Sequence, residues 1–179
     1  MPSIAKFDQW QDTAGNMQQT ILQVKQTYLT TRYSQSVTTT WNDLTDFNVS
    51  ITPKSTSSKF LVMVRWFGEY GTADSVYNSV WGLKRNGTLI GNQTDMSTAT
   101  GITAPKLSYE GTDAASTPET VDYWYLDSPS TISPLTYQVS MWNNASITLF
   151  TNRVASTANL NTTGYETGTS GILVMEVAA

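Results

Sequence analysis

The chain of 179 residues contains no cysteine and no histidine. Without cysteine it can form no disulfide, no thiolate nucleophile and no thiolate-bound metal site. Without histidine it also lacks the most common general base and the most common metal ligand. A serine triad of the ordinary kind is therefore excluded, and a zinc site would have to be built from carboxylates alone. We expect no cofactor and no metal.

Charge is also scarce, since Lys, Arg, Asp and Glu make up 13% of the residues and the net charge is −4. Globular domains usually carry about a quarter of such residues. The few Lys and Arg residues form no run or stripe, so we expect no nucleic-acid partner. No apolar run is long enough to span a membrane, and residues 1–6 do not resemble the start of a signal peptide. We expect a protein made in the cytoplasm, without membrane insertion.

The polar residues are mainly Ser, Thr and Asn, and they separate many short apolar segments. This pattern predicts an all-β fold, an antiparallel β-sandwich of jelly-roll type. Asn86-Gly87 predicts a type I′ hairpin, in which both central residues need positive φ. Two polar stretches, 92–118 and 155–170, predict long surface loops. We expect strands near residues 21–29, 37–41, 47–51, 60–67, 80–84, 88–90, 121–126, 135–142, 147–151 and 172–177.

The N-terminal residues differ from the rest of the chain. Ile4, Phe7 and Trp10 recur at a spacing of three in an otherwise polar stretch. The spacing predicts a short amphipathic turn of helix that is too short to be stable alone. Two interpretations remain open: the segment packs on its own domain, or it anchors the protein to another one. We divide the chain into an anchoring segment, 1–19, and a β-sandwich domain, 20–179.

Two predicted strands are apolar on both faces. In 60–67 the even positions are apolar, and the odd positions are apolar apart from Arg65; residues 172–177 behave similarly. An antiparallel strand with one solvated face should instead alternate apolar and polar residues. The second face is therefore covered either by a loop or by another subunit. We predict a subunit interface, with Arg65 and Glu176 setting its register, that consists of Leu61, Met63, Arg65, Phe67, Leu173, Met175, Glu176 and Val177.

Five blocks of sequence, in order, resemble a family of small virion structural or tail-fibre-like proteins of cyanophages and other marine and freshwater bacteriophages. The first is DQWQDTAG at 8–15 followed by ILQV at 21–24, and the second is VSITPKSTSSKFLVMV at 49–64. The others are LKRNGTLIG at 83–91, YLDSP at 125–129 and ILVMEVAA at 172–179. The layout is also similar to the trimeric jelly rolls of the tumour-necrosis-factor type, at the level of fold alone. That similarity implies a homotrimer with its C-terminal strand near the three-fold axis.

The resemblance implies a non-enzymatic protein on the virion surface, a capsid decoration or cement protein or a small spike. It would bind copies of itself and another phage protein, the major capsid protein or a tail protein. A receptor-binding tip or adaptor of a tail fibre is the alternative, with a host-surface glycan as ligand. Tyrosines in or near predicted loops are the candidate receptor contacts: Tyr70, Tyr77, Tyr109 and Tyr165.

A glycan-cleaving enzyme is the third hypothesis, since such an enzyme needs two carboxylates at a set separation. The candidate pairs are Asp43 with Asp46, Glu69 with Asp74, and Asp122 with Asp127. All of them fall at predicted strand ends and turns, where Asp commonly closes loops. We therefore predict no catalytic residue.

Overall fold

The computed structural model describes residues 13–14, 20–71, 78–95, 100–105, 117–156 and 166–178. The regular elements in this part of the chain are ten β-strands, and they form two antiparallel sheets. The predicted all-β, antiparallel class is confirmed. The strands are β1 (Ile21–Leu29), β2 (Tyr33–Val37), β3 (Asn42–Ile51), β4 (Lys59–Tyr70), β5 (Ser79–Arg85), β6 (Thr88–Ile90), β7 (Glu119–Asp127), β8 (Leu135–Asn143), β9 (Ile147–Thr151) and β10 (Ser170–Val177).

The six-stranded sheet has the order β1-β10-β4-β9-β2, and β7 also pairs with β4. Gly68 pairs with both Glu119 of β7 and Thr151 of β9, so β7 and β9 lie on opposite sides of β4. Strands β9 and β10 lie on the same side of β4 and pair with different parts of it. Strand β1 pairs with β10, and strand β2 pairs with β9. The pairs β1/β2 and β9/β10 therefore each behave as one interrupted strand. The four-stranded sheet has the order β3-β8-β5-β6.

The inward faces of the two sheets meet in one hydrophobic core. Trp66 of the six-stranded sheet and Trp81 of the four-stranded sheet lie with ring centroids 4.9 Å apart. The Trp66 indole N–H donates to Thr151 Oγ1 at 3.0 Å, and the Trp81 indole N–H donates to the Tyr70 hydroxyl at 2.8 Å. Both polar atoms of the buried indoles are thus satisfied, as burial requires.

The hairpin predicted at Asn86-Gly87 is confirmed. Asn86 has φ of 49° and Gly87 has φ of 84°, while the flanking residues Arg85 and Thr88 pair directly. Both central residues therefore occupy the left-handed region that a type I′ turn requires. The Asn86 side-chain oxygen also accepts a hydrogen bond from the Thr136 backbone N–H at 2.8 Å, which ties the turn to β8.

Two of the predicted strands differ most from the structure. Strand β2 ends at Val37, where the prediction started a strand, and β3 begins at Asn42 rather than near residue 47. The Asn42 amide donates to the carbonyl oxygens of Thr38 and Thr40, so a turn closes within the Thr-rich stretch. Asp46 then adopts φ of 56° where the β3–β8 register shifts. Such a bulge interrupts the alternation of apolar and polar residues within one strand, so the first half of β3 could not be predicted from that alternation.

Candidate functional site

The outer face of the six-stranded sheet is the candidate functional site. Along β4 and β10 the residues alternate between fully buried and partly exposed, as the pleat of a strand requires. The even positions of β4 point to the core, and so do Ile172 and Val174 of β10. The odd positions of both strands lie on the other face and bring together six of the predicted interface residues: Leu61, Met63, Arg65, Leu173, Met175 and Val177.

Cross-strand pairing arranges this face in rows that run over four strands, β1, β10, β4 and β7. One row contains Val24, Met175, Leu61 and Leu126. The next contains Gln26, Leu173, Met63 and Trp124. The third contains Tyr28, Gly171, Arg65 and Asp122. The face is thus continuous and largely apolar, and we call it the apolar face.

Solvent reaches the apolar face. Trp124 is 69% exposed, Tyr28 58%, Val24 50% and Met63 45%. Apart from Ile132, every exposed large hydrophobic side chain in the described part of the chain lies on β1, β4 or β7. Monomeric soluble proteins rarely leave a continuous patch of this kind open, and such patches mark interaction sites.

A groove of about 480 Å³ crosses the third row of the apolar face. Its floor includes Gly171, and a Cβ added there would lie 3.2 Å from Cδ2 of Tyr28. The Tyr28 hydroxyl shares a hydrogen bond of 2.6 Å with Thr169 Oγ1, which fixes the ring beside the groove. Trp124 forms the opposite wall, and Arg65 and Asp122 add one charge of each sign.

At the C-terminal end of β4, other segments of the same chain cover the outer face of the sheet. A Cβ on Gly168 would lie 2.5 Å from Cγ of Phe67, so the backbone at Gly168 rests directly on the Phe67 ring. Beyond it, the buried carboxylate of Glu69 accepts hydrogen bonds from the backbone N–H groups of Thr117 and Ala155. A neighbour from the same chain therefore covers part of the Phe67 ring, which stays partly exposed, and the interface role of Phe67 stays a prediction.

Glu176 also departs from the prediction, since it points inward and is 0% exposed. Its carboxylate accepts hydrogen bonds from the Lys54 backbone N–H at 2.7 Å and from the Gln23 amide. Burial by itself raises the pKa of Glu176, but the neighbouring Ser58 hydroxyl, the Gln23 amide and the backbone N–H groups of Lys54 and Ser55 hold that pKa below its usual value. Glu176 thus joins β10, β1 and the corner before β4 within one chain, and it is not an interface residue.

Tyr70 is not a surface residue, contrary to its prediction as a receptor contact. It ends β4, is 1% exposed and receives the Trp81 indole N–H. Burial raises its pKa well above the ordinary value for tyrosine. The other candidate receptor contacts, Tyr77, Tyr109 and Tyr165, lie outside the described residues, as do the anchoring residues Ile4, Phe7 and Trp10.

The structure separates one of the predicted carboxylate pairs. Asp122 and Asp127 lie on opposite faces of β7, because five positions separate them along a strand. Asp43 instead pairs with Lys84 Nζ at 2.6 Å, and Asp127 pairs with Arg85 Nη1 at 2.7 Å. Within these ranges no three acidic side chains are grouped closely enough to hold a metal ion, and no helix is long and apolar enough to cross a membrane.

Sequence reasoning missed half of the apolar face. Val24, Tyr28, Trp124 and Leu126 were not predicted as interface residues, although each alternates with residues that point the other way. The available signal was this alternation in residues 21–29 and 119–127. The alternation alone does not reveal which strands lie beside β4 and β10, and this placement unites the four side chains.

No protein-family model matches the sequence, and no curated protein matches it significantly.

Proposed function

We propose that this protein is a non-enzymatic structural protein of a bacteriophage particle, carried on the exterior as a capsid decoration protein or small spike and assembled from copies of itself. The open apolar face is the observation that carries the assembly from copies of itself. It spans four adjacent strands and is framed at one end by the chain's own loops. Its natural occupant is the same surface, or an edge, of a second copy.

The size of the apolar face suits self-association. Its exposed side chains include a Trp and a Tyr, together with the aliphatic residues of β1, β4 and β7. Together they expose on the order of 600 Å² of side chain, close to the roughly 800 Å² that each partner of a standard interface buries. The polar groups on the face also favour a second copy, because Arg65 and Asp122 pair side by side and present both signs of charge. A uniformly charged partner would leave one of them unmatched.

The strand order supports the finer fold, a β-sandwich of jelly-roll type. With β1/β2 and β9/β10 counted as single interrupted strands, eight strands remain, with the orders 1-8-3-6 and 2-7-4-5. Eight strands in two such sheets correspond to the two Greek keys of a jelly roll. We further propose a homotrimer, the number that the similarity to trimeric jelly rolls implies.

The assignment to a phage particle rests on the sequence resemblance. Four of its five blocks contribute residues to the apolar face: ILQV at 21–24 in β1, the end of the block at 49–64 in β4, the start of the block at 125–129 in β7, and the block at 172–179 in β10. The segments that carry the resemblance are thus also segments that build the surface used for assembly.

Quantitative mass spectrometry of purified particles tests this function. We expect the protein on the particle, accessible to antibody, with a copy number near that of the major capsid protein. A dozen or so copies would instead indicate the tail, and absence from the particle would contradict the proposal. Light scattering of the isolated protein should give a mass above that of one chain.

A further inference from the structure

We propose that Trp124 of one copy inserts into the groove over Gly171 of a second copy, and that this contact carries the self-association. The inference rests on the proposed assembly and adds to it the specific contact. Trp124 is the most exposed large hydrophobic residue in the described part of the chain, at 69%. It lies on β7, which pairs with β4 alone among the described strands, so it stands at the rim of the sheet.

The groove is shaped before any partner arrives. Gly171 has no side chain, so the third row has a gap between Tyr28 and Arg65. The hydrogen bond between Tyr28 and Thr169 holds the aromatic wall in place. The volume of about 480 Å³ falls within the range of roughly 300–1,000 Å³ that is typical of ligand pockets. A fixed wall and an open floor lower the entropy cost of filling the groove.

The chemistry of the groove fits an indole. Met63 and Leu173 supply apolar contacts, and Tyr28 supplies an aromatic face. The exposed Arg65 can stack its guanidinium on an indole ring, and Asp122 can accept the indole N–H. An occupant that is mainly apolar, planar and carries one donor would satisfy all of these groups. Trp124 has these properties, and every additional copy of the chain supplies one.

Trp124 stands at the rim of the sheet and also forms one wall of its own chain's groove, so the inserting side chain and the groove are neighbours on the same face. In the proposed homotrimer, Trp124 of each copy enters the groove of the next copy, which is a heterologous contact that closes into a ring.

A complementation experiment tests the contact. Trp124→Ala removes the side chain that enters the partner's groove and also one wall of its own groove, whereas Gly171→Leu keeps Trp124 and fills the groove. Gln26→Trp fills the groove from an exposed position on β1 and serves as a second variant if Gly171→Leu fails to fold. Each variant alone should be monomeric in analytical ultracentrifugation, with a Kd for self-association raised about 30-fold or more, the size expected of a hot-spot aromatic.

An equimolar mixture of Trp124→Ala with a groove-filled variant should restore one contact, to a groove that lacks only its Trp124 wall, and give a heterodimer, with nothing larger. A wild-type mass for Trp124→Ala, or a mixture that stays monomeric, would overturn the inference. Met63→Asp separates this result from the proposed function. If Met63→Asp dissociates the protein and Trp124→Ala does not, the apolar face assembles by another contact; if the wild type is itself monomeric, the assembly proposal fails.

Discussion

Asn152 and Ser170 are joined by a hydrogen bond of 2.7 Å, from the Ser170 hydroxyl to the Asn152 side-chain oxygen, where β9 has ended and β10 begins. The Asn152 amide donates to the carbonyl oxygens of Leu29 and Thr31 at 2.8 and 3.0 Å, in the gap between β1 and β2. The Asn152 backbone N–H donates to the Phe67 carbonyl oxygen at 2.8 Å. Two side chains therefore replace the backbone ladder where two strands are interrupted together.

Asn152→Ala should lower the free energy of unfolding by about 1–2 kcal/mol, because it leaves the carbonyl oxygens of Leu29 and Thr31 without their side-chain donor in a partly buried setting. Asn152 also has φ of 61°, a conformation that Asn tolerates better than Ala. Urea denaturation of Asn152→Ala, Ser170→Ala and the double variant measures the coupling between them, which we expect to be about 1 kcal/mol. Asn144→Ala, at an exposed turn, is the control and should change stability little. If the effects of Asn152→Ala and Ser170→Ala were fully additive, the proposed coupling between the two side chains would be wrong.

Arg85→Met should destabilise the protein by about 3 kcal/mol, because it leaves the carboxylate of Asp127 without its cation. Asp127 is 4% exposed and also receives the Tyr137 hydroxyl at 2.7 Å. Lys84→Met is the matched control, since its partner Asp43 has a half-exposed side chain and the pair should contribute less than about 1 kcal/mol. In denaturation experiments, high salt should reduce the destabilisation caused by Lys84→Met but not the destabilisation caused by Arg85→Met. Equal losses of unfolding free energy for the two variants would contradict this difference in burial.

The stability of the protein should fall at acid pH partly through Glu176. Its folded-state pKa lies below the unfolded value, so its contribution is complete above about pH 4.3 and is lost as the pH falls through the folded pKa. Glu176→Gln should therefore cost about 1–3 kcal/mol at pH 7, where a charged acceptor of several hydrogen bonds is removed. Chemical denaturation across pH 2–7 should show the difference from wild type shrinking at the acid end of this range, and a constant difference would refute the assignment.

Met63→Asp should dissociate the oligomer, because it places an unpaired charge in the middle of the apolar face. Met175→Asp, in the neighbouring row, should act in the same way. Ile132→Asp is the matched control, since Ile132 is 61% exposed but lies outside the strands of the face. Light scattering should give the mass of one chain for the first two variants and the wild-type mass for the third; dissociation by Ile132→Asp would mean that exposed charge in general, not this face, controls assembly.

Deletion of residues 1–19 should leave a folded oligomer that no longer joins particles lacking the protein. The ten strands of the described ranges all lie after residue 20, so the core should survive the deletion. Short apolar segments such as Ile4, Phe7 and Trp10 can fill a groove on a partner, and several copies in one oligomer would strengthen a weak anchor. Circular dichroism and particle reconstitution measure the two outcomes, and either normal assembly or loss of folding would contradict the anchoring role.

The sequence by itself determined the strand class, the Asn86-Gly87 hairpin and the inward or outward direction of most residues in β4 and β10. These are local properties, since the pleat of a strand and the φ preferences of Asn and Gly depend on neighbouring residues. The tertiary structure alone decided that Trp124 and Tyr28 stand on the same face as Met63, because that depends on pairing between strands far apart in the chain. It also decided that Gly168 covers Phe67 and that the corner at Lys54 takes up the Glu176 carboxylate. Such contacts depend on how the whole chain closes over its core, and no local pattern specifies them.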